Sequence, residues 1–359
     1  MTTKPPTSAD VASLAGVSRT TVSFVMNGRQ DVAIPTSTRQ RVIDAAAALH
    51  YTPHGPARQL ARGSTRSLGL VLRQSPEQVG GDALLVDTLR GVVEAANDAG
   101  YRVLVESLAP ETGRYADLLR ARHADGLIVS GPRADDQELR DLARDGYPVV
   151  LQGDLEAFEG PSVDVDNEAA AATAVRHLIA LGHRRIACVT NAPVAYTAAA
   201  ARLDGYRRAL AEAGIPFEPS LVAEADFDPG SGHRAIVAIL DRGALPDAVF
   251  VASDVVALGV LGGLRERRIR VPNQVSVVGF DDISLAAYVD PALTTIRVPA
   301  RELGKAAGRA LIDRIAGRPM ELRTLLPTEL VIRESARRRS ARGRGEAPAR
   351  VATSRARAP

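Results

Sequence analysis

The sequence predicts an α/β protein, with a small helical headpiece at the N-terminus and a larger two-lobed body of doubly wound parallel sheets. Two patterns carry this. Apolar residues between 8 and 50 recur at helical spacings, and from Leu68 onward short apolar runs alternate with amphipathic helical stretches. Charge separates the parts. Residues 1–66 hold eight basic and three acidic side chains, and residues 334–359 hold eight and two, so a net +3 for the 359-residue chain leaves −8 for 67–333. A basic end beside an acidic body implies that the end meets a polyanion.

The headpiece opens with "VASLAGVSRTTVSFVMNG" (11–28). Val11, Leu14, Val17, Val22 and Val25 give the apolar spacing of two short helices, and Ala12 and Ala15 let them approach closely. Gly16 stands where a tight turn takes positive φ. Ser18 follows as an N-cap whose hydroxyl accepts from the amide of Thr20 or Thr21, and Asn27-Gly28 stops the second helix. This is the layout of a helix-turn-helix, whose second helix enters the DNA major groove by its first turn. On that reading Arg19 and Thr20 face bases, while Ser18, Thr21 and Ser23 reach phosphates. An ordinary α-hairpin with a solvated turn has the same helix-glycine-helix spacing. A third helix within "PTSTRQRVIDAAAALHYTP" sets Val42, Ile43, Ala46 and Leu49 on one stripe, with Arg39 and Arg41 off it. Residues 51–67, rich in Pro, Gly and Arg, read as a linker with a short helix starting near Pro56.

In the body, candidate strands are "LGLVL" (68–72), "RVLVES" (102–107), "GLIVS" (126–130), "PVVLQ" (148–152), "RIACVT" (185–190), "AVFVAS" (248–253) and "VSVVGF" (275–280). Helical runs such as "LLVDTLRGVVEAANDAG" separate most of them, which argues for parallel pairing. About 270 residues exceed one such sheet, so two lobes with a cleft between them are expected. Residues 334–359 have almost no large apolar side chains and read as a disordered basic tail.

Several classes are excluded by what the sequence lacks. There is no run of about eighteen apolar residues for a membrane span. The opening "MTTKPPTSAD" has no apolar core of a secretory leader, so a cytoplasmic location is expected. Cys188 is the single cysteine, within an apolar run that suits a buried structural thiol, so neither a disulfide nor a thiol metal cluster is expected. No dinucleotide or P-loop motif follows the first strand, and His177 and His183 fit a structural role at a helix C-terminus. An enzyme, a cofactor and a metal are therefore not expected. A transport binding protein would share the lobes, but the headpiece argues against it.

The chain resembles the LacI/GalR family of bacterial transcription regulators. The resemblance is carried in order by "DVASLAGVSRTTVSFVMNG", "YTPHGPARQLA", "VDVDNEAAAATAVRHLIALGHRRIACV", "ARLDGYRRAL", "FVASDVVALGVLGGLRE" and "VPNQVSVVGFDDISLAAYVDPALTTIRVP". It implies a body folded like periplasmic sugar-binding proteins, and domains at 1–52 (headpiece), 53–66 (hinge) and 67–333. Within the body it implies one lobe of 67–165 plus 293–318 and a second of 166–292 plus 319–333. Arg19 and Thr20 occupy the sites that set operator preference, and Asn27 joins the DNA-contacting set. Phe24 stands where many members carry a guanine-reading Arg, and offers apolar contact to a thymine methyl instead. In the hinge, Ala57, Arg58 and Leu60 match a helix formed on DNA, with Leu60 the minor-groove wedge. The implied effector contacts are Asp166, Arg202, Asp254 and Asp281. Asn191 and Tyr196, in the loop after the Cys188 strand, join them, with the Tyr196 ring placed to stack on a sugar face. The implied partners are a pseudo-palindromic double-stranded operator, a small-molecule effector of the sugar type, and a second copy of the chain. Repression is the expected activity and activation the alternative.

Overall fold

The computed structural model describes residues 6–52, 64–108, 114–243 and 245–339. The headpiece is three helices, α1 (Ser8–Ala15), α2 (Arg19–Met26) and α3 (Thr36–Ala48). Thr7 and Asp10 form a capping box on α1, Gly16 ends it at φ +64°, and Ser18 caps α2 by accepting from Thr21 N at 3.1 Å. Val11, Ala12, Ala15, Val22, Val25, Val42, Ala45 and Ala46 make the core. Leu14 and Ile43, expected inside, are 58% and 49% exposed. The small Ala15 and Ala45 are buried instead.

The body begins with β1 (Ser67–Leu72), α4 (Pro76–Gly81), α5 (Ala83–Asp98), β2 (Arg102–Ser107), α6 (Tyr115–Arg120), β3 (Gly126–Ser130), α7 (Gln137–Arg144), β4 (Val149–Gln152) and β5 (Ser162–Val165). It continues with α8 (Asn167–Ala180), β6 (Ile186–Val189), α9 (Thr197–Glu212), β7 (Val222–Ala223), α10 (Pro229–Asp241), β8 (Ala248–Val251), α11 (Asp254–Glu266) and β9 (Ser276–Val278). The last elements are β10 (Thr295–Arg297), α12 (Ala300–Ile315), β11 (Arg323–Leu326) and β12 (Glu329–Val331). Two parallel sheets result, β11-β5-β4-β3-β1-β2 and β7-β6-β8-β9, with β10 and β12 as an antiparallel pair. All seven expected strands are present. The five others are short or lie on sheet margins, where apolar runs are broken by polar residues.

Strand pairing corrects the expected lobe boundaries. Residues 319–326 do not join the second lobe, because β11 pairs in parallel with β5 of the first sheet. Residues 293–297 do not join the first, since Thr294 and Arg297 bridge to Val278 and Asp281 beside β9. The basic tail does not start at 334 either. Ser335 is fully buried, donating to Val277 O and accepting from Thr294 N, and Arg339 pairs with Asp247 at 2.7 Å. The part of the expected tail from 340 to 359 lies outside the described residues.

Two local arrangements set the geometry around the first sheet. Helices α5 and α12 cross at Gly91 and Gly304, where a Cβ would stand 1.9 Å from Arg301 O and 2.1 Å from Thr88 O. Only glycine allows that approach. At the start of the body, Asp125 accepts from Thr65 N (2.6 Å), Thr65 Oγ1 (2.8 Å), Arg66 N (2.9 Å) and Ser64 Oγ. One carboxylate immediately before β3 thus fixes the chain where it leaves the linker.

Candidate functional site

On α2 the buried Val22 and Val25 define the inner face, and helical rotation puts Thr20, Ser23, Phe24 and Asn27 opposite them. Arg19, Thr20 and Ser23 are exposed, and Phe24 is half-buried outside the headpiece core. The Arg29 guanidinium covers the Phe24 ring at 5.5 Å. Ser18 and Thr21 share a 2.9 Å hydroxyl bond, and Ser23 Oγ accepts from Asn27 Nδ2 at 3.2 Å. This cap and turn present the first turn of α2 as a polar, solvent-facing edge. The hinge positions Ala57, Arg58 and Leu60 lie outside the described residues.

A cavity opens between the two sheets at the carboxyl ends of their strands, the usual ligand crevice of doubly wound folds. Asn191, Tyr196, Arg202 and Asp281 line it as expected. Arg202, on α9, is 7% exposed, donates from Nε to Asn167 Oδ1 at 2.9 Å and from Nη1 to Ala252 O, and lies 3.8 Å above the Phe280 ring. Burial lowers its pKa, opposed by Asp281, Asp164 and Asp254. Asp281 sits at φ +115°, its amide bonded to Ile296 O at 2.7 Å and its carbonyl to Val298 N at 3.1 Å. A side chain held in that strained conformation from both sides is preorganised. Burial pushes the Asp281 carboxyl up to about 6, opposed by Arg202 at 3.5 Å.

Two of the expected residues do not line the cavity. Asp166 is exposed and caps α8, accepting from Ala169 N at 2.8 Å, because β5 has ended one residue earlier. Its place is taken by Asp164, which lines the cavity and is likewise raised by burial to about 6. Asp254 is 0% exposed and does not line the cavity. It accepts from Ile283 N (3.1 Å) and Thr295 Oγ1 (2.7 Å), and burial raises its pKa well above the ordinary value. Because the neutral carboxyl is favoured there, Asp254→Asn should keep the fold. Asp254→Ala leaves both donors unpaired and should cost about 2–4 kcal/mol in a urea melt; equal losses for both would contradict this assignment.

Tyr196 is also not a platform. Its ring is 4% exposed, meets Phe227 edge-on at 4.9 Å and 86°, and lies under Arg133 at 5.3 Å. Its hydroxyl donates to Arg73 O across the cleft. Beside it Ala134 N donates to Ala195 O (2.8 Å) and Thr197 N to Pro132 O (3.1 Å), so the loop after β3 is stitched to the loop after β6. Gln78 and Asp226 close the same edge at 2.7 Å.

Gln74, Asp82, Gln152, Asn167 and Ser253 line the cavity without having been expected. Most share one readable signal, a polar residue at or just past the carboxyl end of an apolar strand. Cys188, by contrast, is buried away from this chemistry, its thiol pushed up to about 12.

Comparison with known proteins agrees with both halves. Residues 7–54 match the description "Bacterial regulatory proteins, lacI family", and residues 175–336 match a periplasmic binding protein-like domain. The regulator CelR of Thermobifida fusca is 35% identical over 336 residues, 92% of this chain and 98% of that one. The solved CelR–cellobiose complex superposes with a TM-score of 0.71 at 34% identity, covering 92% of this chain and all of the other. The lac repressor dimer bound to operator and the anti-inducer ONPF gives 0.79 at 31% identity, covering 93% and 100%. A helix-turn-helix headpiece and a two-sheet ligand fold in one chain, with relatives along nearly its whole length, make this chain a member of the LacI family of bacterial transcription regulators.

Proposed function

We propose that the chain is a cytoplasmic repressor, without a reaction of its own, whose operator affinity is set by a small molecule bound in the cleft. A homodimer places two α2 edges on the half-sites of a pseudo-palindrome, with Ser18, Arg19, Thr20, Thr21, Ser23, Phe24 and Asn27 at the DNA. Hinge residues Ala57, Arg58 and Leu60 belong to the same assignment by resemblance. The observation that carries the reading is the polar outer edge of α2 joined to a body whose cleft holds buried, unpartnered oxygens. The lac repressor relative bound to operator, and the CelR relative bound to cellobiose, support operator and sugar as the partners. Selection of the full chain against random duplexes should enrich a sequence with two inverted half-sites. Enrichment of a single unpaired half-site, or of nothing, would contradict the dimeric operator reading.

The cleft carboxyls give the reading a pH signature. Asp164 and Asp281 are raised from the ordinary 3.8 to about 6, so they hold protons more readily in the fold than in the unfolded chain. Their contribution to stability is fully present below about 3.8 and is lost as pH rises through about 6. Ligand binding runs the other way, since a hydroxyl donor needs the ionised oxygens. Effector affinity should fall roughly tenfold between pH 7 and pH 5 for each of the two carboxylates that the ligand contacts, measured by calorimetry; an affinity flat across that range would remove these carboxylates from the contact set.

A further inference from the structure

We propose that the cleft selects an uncharged, hydroxyl-rich ligand and rejects the phosphorylated or carboxylated forms of the same molecule. This rests on the cleft being the effector site. Among the described lining residues the ionisable groups, besides the Tyr196 phenol, are three carboxylates, Asp82, Asp164 and Asp281, against the one guanidinium of Arg202. That guanidinium is turned inward, onto Asn167 Oδ1, the Ala252 carbonyl and Asp281. An anion entering the cleft would meet an excess of negative charge in a desolvated site, with the cation already engaged.

The amide hydrogens are used in the same way. Gln74 Nε2 donates to Asp82 Oδ2 at 3.4 Å, Gln152 Nε2 to Thr88 Oγ1 at 3.3 Å, and Asn167 Nδ2 to Asp164 Oδ2 at 3.0 Å. The Gln74 orientation is set by its partner, because an ionised carboxylate can only accept. Among the described lining residues the buried atoms with no hydrogen-bond partner are the amide oxygens Gln74 Oε1, Gln152 Oε1 and Asn191 Oδ1, together with Asp281 Oδ1, which has only the Arg202 guanidinium at 3.5 Å. Such acceptors are satisfied by a ligand that brings hydrogens to them. Hydroxyl groups supply these. A phosphate or carboxylate supplies only further acceptors and charge.

The test titrates the full chain calorimetrically with matched sets: glucose, glucose 6-phosphate and glucuronate; galactose and its counterparts; and cellobiose. A neutral member should bind and alter operator affinity, with its anionic counterparts roughly 30-fold weaker or worse. In Asp281→Asn the handicap of the anion should shrink while the neutral sugar loses affinity. An anionic form that binds as tightly as its neutral parent overturns the proposal and leaves the cleft as the effector site. Binding by no member of any set overturns the effector-site reading itself.

Discussion

Removal of residues 1–63 should abolish operator recognition and leave a folded body that still binds effector. The headpiece core, around Val11, Val22 and Val42, is a cluster of its own, and the clusters of the body, the largest of which spans both sheets, include none of its residues. What remains carries −8 over residues 67–333 and none of the α2 edge, so the surviving interaction with DNA is repulsive apart from the basic C-terminus. Loss of the base-reading module should lower specific affinity by at least about a thousandfold, the smaller end of the gap between specific and non-specific binding. Anisotropy titration at fixed salt, beside a urea melt of the shortened chain, checks both halves. Operator binding within about tenfold of the full chain would place recognition in the body instead.

Arg202→Ala should be the most damaging single change in the cleft. The side chain is buried on Phe280, joins α9 to α8 through Asn167 and to the end of β8 through Ala252 O, and lies against Asp281. Without it Asp281 and Asp164 lose the cation that opposes their burial. Breaking a buried charge pair of this kind costs about 3–5 kcal/mol. Arg202→Met restores much of the apolar stem and should recover part of the stability but none of the effector response. Because coupling between sites is reciprocal, the lost response appears as an operator affinity that no longer moves with added effector. If the Met variant responds like wild type, the guanidinium takes no part in the site.

Much of the architecture was legible because it is repetitive. Apolar runs ended by turns gave the strands, and Gly16, Ser18 and Gly28 punctuated the headpiece helices where the structure places their ends. The lobe boundaries were not legible, because β10, β11 and β12 are three or four residues long and nothing in "LTTIR" or "ELRTLLPTELVI" tells which strands they join. In the cleft, the resemblance marked Arg202 and Asp281, and both line the cavity. It missed at Asp166 for a reason present in the sequence: an Asp directly before "NEAAAATAV" is a helix cap, and a capping carboxylate is already occupied. Asp254 misled because an acidic residue after a strand reads as a contact, while its burial depends on Thr295 and Ile283, forty-one and twenty-nine positions away. The uncommitted oxygens of Gln74, Gln152 and Asn191 depend on where neighbouring donors turn, and no spacing records that.

The clasp at Asp125 gives β3 a second significance. The strand runs from that carboxylate to Ser130, and the next residue, Gly131, begins the loop that lines the cleft and is stitched to the other lobe. Its five residues span about 17 Å and are paired on both sides, to β1 and β4. Such a strand does not bend in the middle of its sheet. It joins the cleft at one end to the linker at the other, so a tilt imposed at Gly131 would be delivered to Ser64–Arg66 with no joint in between. The headpieces of a dimer would then be steered by the angle between two such strands, one from each copy.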